Sequence, residues 1–226
     1  MCQIVKNSFL AAFFLLICLA PARGFSFGND LRIALPRPST TGNLSVEEAL
    51  QARKSIRSYS KEPLLLSEIS QLLWAAQGIT RKDGKRTAPS AGALYPLEIY
   101  IVSGQVHGLD SGIYRYQADR HTLEPVLSGM RQKELATAAL QQDSIIHSSA
   151  VIVVAGVYRR TAKKYGGRAE RYVHIETGHA AQNIFLQATS LGLSTVVIGA
   201  FDDDAVKRVL GMPQNETPLL LMPLGK

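Results

Sequence analysis

Residues 150–157 read Ala-Val-Ile-Val-Val-Ala-Gly-Val, eight successive positions without a polar side chain. A strand with one wet face alternates apolar and polar residues, whereas an unbroken run rich in β-branched residues reads as a strand buried on both faces. The chain must then supply a layer above and a layer below this strand. Its 226 residues, 46% apolar and 19% charged, provide a sizeable core and exclude a disordered or fibrous protein.

Around that strand the pattern mixes helices and strands. Ser45 and Glu48 have capping-box spacing and open a helix through about residues 51–54. Ser67 is read as the cap of a second helix, in which Ile69, Leu72, Leu73 and Ala76 keep helical spacing until Gly78. A long loop is expected over residues 79–96, a strand over 97–103, a hairpin from 112–116 and 121–127, and a helix over 130–140. The longest helix is expected over 172–191, followed by a strand (195–200), a helix (202–210) and a strand (218–224). No strict βαβ alternation is present, so the expected class is α+β. One domain over residues 45–226 follows an extended arm over 23–44 that contains Pro36, Pro38 and Gly42.

The first 22 residues have a different character. Lys6 is followed by an apolar run from Phe9 to Ala20, and Ala20-Pro21-Ala22 puts small residues before a cut after Ala22. This is a signal-peptide pattern, so residues 1–22 are expected to be removed on export to the periplasm or beyond. A run of 12 residues is too short for a membrane span, which needs about 20. The 204 residues after the cut hold no cysteine, because Cys2 and Cys18 both lie in the leader. The chain carries 25 Lys and Arg against 18 Asp and Glu, a formal +7. No nucleic-acid motif accompanies that charge, so a bound phosphate or a solvated basic surface is expected instead of a nucleic-acid partner.

Four groups of residues can carry chemistry. In Arg53-Lys54-Ser55-Ile56-Arg57, an extended backbone would put Arg53, Ser55 and Arg57 on one side, about 6.6 Å apart per pair. Two guanidinium groups and a hydroxyl suit a phosphate; the alternative is a solvated helix end. The loop Arg86 to Pro96 consists mostly of small residues, which allow the backbone to approach a flat ligand. Its Ala88-Pro89-Ser90-Ala91-Gly92 also resembles an incomplete nucleophile elbow, so a serine hydrolase using Ser90 with His147, His174 or His179 is an alternative. Against it, the turn-forming Thr80 to Arg86 stands where the elbow needs a strand. Glu176, His179 and Asn183 share one helix face but supply only one copy of a di-iron element that needs two. They are read as hydrogen-bonded groups inside the fold, and no metal site is expected. Lys164-Tyr165 could exchange a proton if burial tuned it; otherwise it is a solvated loop.

Taken in order, these segments resemble the nitroreductase superfamily, and within it the SagB or thiazole-oxidase type of dehydrogenase. The carriers are Arg53 to Tyr59, Leu72 to Gly78, Arg86 to Glu98, Lys164-Tyr165-Gly166, Arg171 to Glu176, Gly178 to Asn183 and Ile198 to Asp203. The resemblance implies a mixed or antiparallel sheet flanked by helices, in a homodimer with FMN between the subunits. It assigns Arg53, Lys54, Ser55 and Arg57 to the FMN phosphate and ribityl chain. Pro89, Ser90 and Ala91 would approach the flavin from the partner subunit, and Ile198, Gly199 and Ala200 would lie beside the ring near N5. Lys164 and Tyr165 correspond to a proton-removing pair. The implied activity is two-electron oxidation or reduction of a small molecule or a peptide-borne group, with a non-catalytic flavin-binding protein as the alternative. Two departures stand out: Ala93 replaces a common Asn, and Lys226 stands where other members continue with basic residues toward the phosphate.

Overall fold

The apolar run forms a strand, Ala150–Gly156, in which every residue is buried. It lies inside a computed structural model that describes residues 32–226. The expected leader and the first part of the arm lie outside the described residues. In chain order the strands are β1 (Ile33–Ala34), β2 (Leu64–Leu65), β3 (Leu97–Ser103), β4 (Val106–His107), β5 (Gly112–Gln117), β6 (Thr122–Ser128), β7 (Ala150–Gly156), β8 (Ser194–Thr195) and β9 (Thr217–Gly225). The helices are α1 (Val46–Ala52), α2 (Leu66–Gln77), α3 (Gln132–Ala138), α4 (Asp143–Ile146), α5 (Tyr158–Tyr165), α6 (Ala169–Ser190) and α7 (Asp203–Leu210).

Seven strands form one sheet in the order β1-β6-β5-β3-β7-β9-β8, and β2 and β4 form a separate parallel pair. Every pairing in the large sheet is antiparallel. β7 sits between β3 and β9, and its side chains divide by parity. Ala150, Ile152 and Val154 join Leu72, Leu73, Ile99, Ile101, Val173, Ala180 and Ile184 in a core under α2 and α6. Val151, Val153 and Ala155 join Tyr100, Val102, Leu135, Val206 and Leu210 in a second core under α3 and α7. The α+β class and the helix-flanked sheet expected from the sequence are what the structure contains.

Several boundaries differ for local reasons. Ser67 does not cap α2. The helix starts directly after β2, and the Glu68 carboxylate accepts the Leu65 N–H at 2.7 Å. The helix expected over 130–140 divides into α3 and α4 because Leu140 and Gln141 adopt left-handed φ values of 54° and 61°. The strand expected over 195–200 is only β8, followed by a single bridge at Ile198. The register Thr195 to Leu224 puts Val196 opposite Pro223, which has no N–H and whose carbonyl already accepts the Thr195 hydroxyl at 2.8 Å. α5 was not anticipated, and it places Lys164 and Tyr165 at a helix end instead of in a loop.

A buried polar network ties the sheet together. Arg115 on β5 bridges Glu98 on β3 at 2.9 Å and Glu216 at 2.8 Å, while the Tyr100 hydroxyl donates to Glu216 at 2.6 Å. Arg160 on α5 also pairs with Glu98 and donates to the Tyr95 carbonyl at 3.0 Å. The Glu216 side chain is only 3% exposed, so its charge depends on these partners. Arg115→Ala should therefore cost about 3 kcal/mol in urea unfolding. Arg120→Ala, whose exposed partner Asp119 lies 3.6 Å away, should change stability by less than about 0.5 kcal/mol.

Candidate active site

α1 ends at Arg53, where the backbone turns extended, with φ −57° and ψ 124°. The Ile56 N–H then donates to the Thr195 carbonyl at 2.9 Å, which fastens the segment to the edge strand β8. Ile56 is half-buried, while Ser55 and Arg57 are exposed. The Arg53 guanidinium lies 5.1 Å from the centre of the Phe185 ring. Lys54 and Ile56 line a hollow against Thr189 and Leu193 that excludes Arg53, Ser55 and Arg57. Lys54 and Ile56 thus share one hollow, and Arg53 lies against Phe185, which lines the same hollow. Among the described residues, none of Arg53, Lys54 and Arg57 is paired with a carboxylate.

Three residues beyond Thr195 the chain reaches Ile198-Gly199-Ala200. Ile198 is buried and exchanges two backbone hydrogen bonds with Leu221, at 2.8 and 2.9 Å, so the following turn is held against β9. Gly199 and Ala200 are exposed, and no hydrogen bond among the described residues uses either N–H. A Cβ at Gly199 would meet nothing within 4 Å. The turn thus presents free backbone donors over open space.

A second cluster gathers around the loop after α2. The Ser90 hydroxyl accepts the Tyr95 N–H at 2.9 Å, and the Ala91 N–H donates to Glu176 of α6 at 2.9 Å. The loop stores backbone strain beside those ties at Ala93 and Tyr95, whose φ values are 54° and 46°, while Gly92 takes 62° without a steric cost. α5 leans over its middle. A Cβ built on Gly92 would lie 2.9 Å from the Tyr165 hydroxyl and 3.0 Å from Lys164 Nζ, so a side chain there would displace both. Lys164 Nζ lies 5.5 Å from the Tyr165 ring centre, and Tyr172 supports that ring edge-on at 4.9 Å. Pro89, Ser90, Ala91, Lys164 and Tyr165, which are separated by more than 70 residues in sequence, therefore share one surface.

The two clusters are not joined: among the described residues, no hydrogen bond or ion pair links residues 53–57 or 198–200 with residues 89–92 or 164–165. Other expectations are revised. Ser90 is no nucleophile elbow, because no strand precedes it, its oxygen is occupied by Tyr95, and no histidine bonds it among the described residues. Of the polar trio on α6, Glu176 and Asn183 are indeed engaged inside the fold, Asn183 through the Ala75 carbonyl at 3.0 Å. His179 is exposed. Lys226 Nζ reaches Glu62 at 2.6 Å and Glu68 at 3.8 Å. The anchoring role of Glu176 was not legible from spacing, since it depends on which loop folds over α6.

Burial pushes the Glu176 carboxyl above its usual range, against the opposing pull of the Ala91 N–H, the Ser90 hydroxyl and His179. The folded state then binds this proton more tightly than the unfolded state. Its stabilising effect is full below the ordinary glutamate range and is lost as pH rises through the raised value. Glu176→Gln should consequently gain stability relative to the parent as pH rises from the ordinary glutamate range, about 4.3, through the raised value, as read by paired urea melts across a pH series. A pH-independent difference would contradict this. Ala93 in the left-handed region predicts a second outcome: Ala93→Asn or Ala93→Gly should hold or raise the thermal midpoint, while Ala93→Val should lower it.

Comparison with known proteins identifies the family to which this fold belongs. The nitroreductase family model matches residues 50–226. A Methanocaldococcus jannaschii protein named as a nitroreductase, MJ1384, is 45% identical over 199 residues, covering 88% of this chain and 98% of that protein. The crystal structure of a nitroreductase-named protein from Ralstonia eutropha superposes with a TM-score of 0.76 at 28% identity, covering 86% of this chain and 89% of that one. In Escherichia coli, the microcin B17-processing protein McbC is 28% identical over 149 residues, and the match spans 62% of this chain and 54% of McbC. A chain of the McbBCD microcin synthetase complex with truncated pro-MccB17 bound superposes with a TM-score of 0.65 at 25% identity, covering 95% of this chain and 84% of that one. The chain belongs to the nitroreductase family of oxidoreductases, and peptide-processing proteins are among its relatives.

Proposed function

We propose that the protein is an FMN-dependent oxidoreductase that works as a homodimer and moves two electrons to or from a small molecule or a peptide-borne group. The observation that carries this reading is the pairing of carboxylate-free, half-buried Arg53 and exposed Arg57, on a segment fastened to β8 at Thr195, with free backbone donors at Gly199 and Ala200, on a turn held against the neighbouring strand β9. FMN needs cations at its phosphate and a neutral donor beside its ring, and these residues fit those needs. Arg53, Ser55 and Arg57 would hold the phosphate and ribityl chain, while the turn at Ile198, Gly199 and Ala200 would face the ring. When bound, FMN would supply reversible two-electron chemistry.

The remaining steps fall to this chain's own side chains. Gly92 leaves room for Lys164 and Tyr165, so that either can hold or release a proton beside the loop Pro89-Ser90-Ala91. Lys164 is exposed in one chain, and a partner subunit covering it would exclude water. Exposed Val46 and Leu50 of α1 and Ile175 of α6 are the apolar surface such a partner would cover. The lack of any link between the two clusters supports the same idea: each subunit would offer half of two sites. The signal-like residues 1–22 favour an exported protein, for which oxygen, a quinone or another protein is a better electron acceptor than a soluble nicotinamide is a donor.

Arg53→Ala and Arg57→Ala should each raise the Kd for FMN about 10-fold to 100-fold, the worth of one charge-assisted hydrogen bond of about 1.5–3 kcal/mol. Quenching of FMN fluorescence would measure it, and unchanged affinity would remove the phosphate assignment. Tyr165→Phe should slow anaerobic reduction of the bound flavin by substrate without altering FMN affinity. Rapid bleaching of the holoprotein by NADPH in a stopped-flow instrument would contradict the oxidase direction.

A further inference from the structure

The chain folds an unusual concentration of positive charge against the candidate site. Residues 81–86 contain Arg81, Lys82, Lys85 and Arg86 against a single acid, Asp83. This stretch is a built hairpin. Ile79 bridges Arg86, the Thr80 N–H donates to the Lys85 carbonyl at 2.8 Å, and the Gly84 N–H donates to the Arg81 carbonyl at 3.0 Å. Gly84 turns the chain at φ 80°. The hairpin is also locked at its base, where the Thr87 hydroxyl donates to the Trp74 carbonyl at 3.0 Å. Its cations are thus presented on an ordered frame, which lowers the cost of ordering them around a ligand.

Between this hairpin and the strained loop lies a hollow of about 510 Å³, whose lining includes Arg81, Lys85, Arg86, Ser90, Gly92 and Tyr95. Gly92 is its common wall with the Lys164 and Tyr165 pair. Asp83 accepts the Lys85 backbone N–H at 3.3 Å and forms no ion pair among the described residues, so its single charge leaves the four cations in excess. Among the described residues no carboxylate pairs with Arg81, Lys85 or Arg86. Arg86 is half-buried, stacks 4.5 Å from the Tyr95 ring centre, and has one side-chain hydrogen bond, to the neutral Gln77 at 3.0 Å. Glu98, which lines a small cavity with Arg86, offsets part of that charge, so the exposed Arg81 and Lys85 carry the preference for an anion brought by a ligand.

We propose that this hollow is the docking subsite for an acidic group of the substrate, a carboxylate or a phosphate, held by Arg81 and Lys85 with Arg86 behind them. The subsite would orient the reacting part of the molecule toward Lys164 and Tyr165. As a substrate subsite it rests on the oxidoreductase reading above; as an anion site it stands on the hairpin alone. It gives the substrate a chemical class: small and acidic, with the charge carried away from the atom that changes oxidation state.

The test uses three unreactive probes that share a phenyl ring, benzoate, phenyl phosphate and the neutral benzamide, titrated into the full-length protein with and without added FMN and followed by ligand-observed NMR. The acidic probes should bind at least about tenfold more tightly than benzamide, or about 1.4 kcal/mol, and their advantage should shrink as salt is raised. Arg81→Ala/Lys85→Ala, a change of two exposed side chains, should bring all three probes within about twofold of one another. Arg81→Glu/Lys85→Glu should reverse the preference. Whichever acidic probe gains more names the carboxylate or the phosphate as the group recognised. Equal binding of acidic and neutral probes, or a preference that survives both double variants, would overturn the proposal. FMN binding is read separately by fluorescence. Protein that binds no FMN yet prefers the acidic probes would keep the anion site and remove the flavin reading, whereas FMN-loaded protein indifferent to probe charge would do the reverse.

Discussion

Burial of β7 on both faces is the constraint on which the rest of the molecule depends. With Ile152 and Val154 on one side and Val151 and Val153 on the other, the strand can exist only between two helical layers. One layer must include α6, whose Val173, Ala180 and Ile184 close the first core. That placement brings Glu176 under the Ser90 loop and so fixes where Gly92 and the strained backbone at Ala93 and Tyr95 are displayed. The other layer closes with α7, and the turn at Ile198 to Ala200 lies between β8 and that helix. Core packing and site geometry are therefore one problem in this fold.

The network around Glu98 carries the same coupling in polar form. Arg115 ties β5 to β3 and to Glu216, while Arg160 ties α5 to Glu98 and to the end of the loop at Tyr95. α5 in turn delivers Lys164 and Tyr165 to Gly92. A change inside the sheet can thus reach the candidate proton-transfer pair through two ion pairs and one helix. Such networks do not add much net stability, but they penalise alternative arrangements in which a buried charge is left alone.

Much of this was legible in the sequence, and the legible parts share a physical character. The continuous run at 150–157 announced the central strand because two-sided burial leaves an unbroken apolar pattern. The Ser45 and Glu48 pair announced α1 because a capping box has fixed spacing, and both of its hydrogen bonds are made. The end of α1 near Arg53 was legible in the same segment, where the chain leaves the helix and turns extended. What was hidden depended on tertiary partners. Tyr158 to Tyr165 looks like a solvated basic loop until Arg160 meets Glu98 and buried Thr161 turns inward. The break after Thr195 comes from Pro223, a residue on another strand. The role of Glu176 and the convergence of Lys164 and Tyr165 on Gly92 arise from contacts across more than 70 residues of chain, which no local period encodes.

In the proposed reading, one functional site is divided between two copies of the chain, with the Arg53, Ser55 and Arg57 segment from one and the Pro89 to Gly92 loop from the other. Mixed dimers test it most directly. A chain carrying Arg53→Ala/Arg57→Ala and a chain carrying Gly92→Val are each purified, then dissociated together, reassociated and separated by differing affinity tags, and the FMN content of the mixed dimer is read from its visible spectrum. One site in such a dimer holds both defects and the other holds neither, so about one FMN per mixed dimer is expected from parents that are nearly colourless. Mixed dimers as colourless as their parents would contradict a shared site.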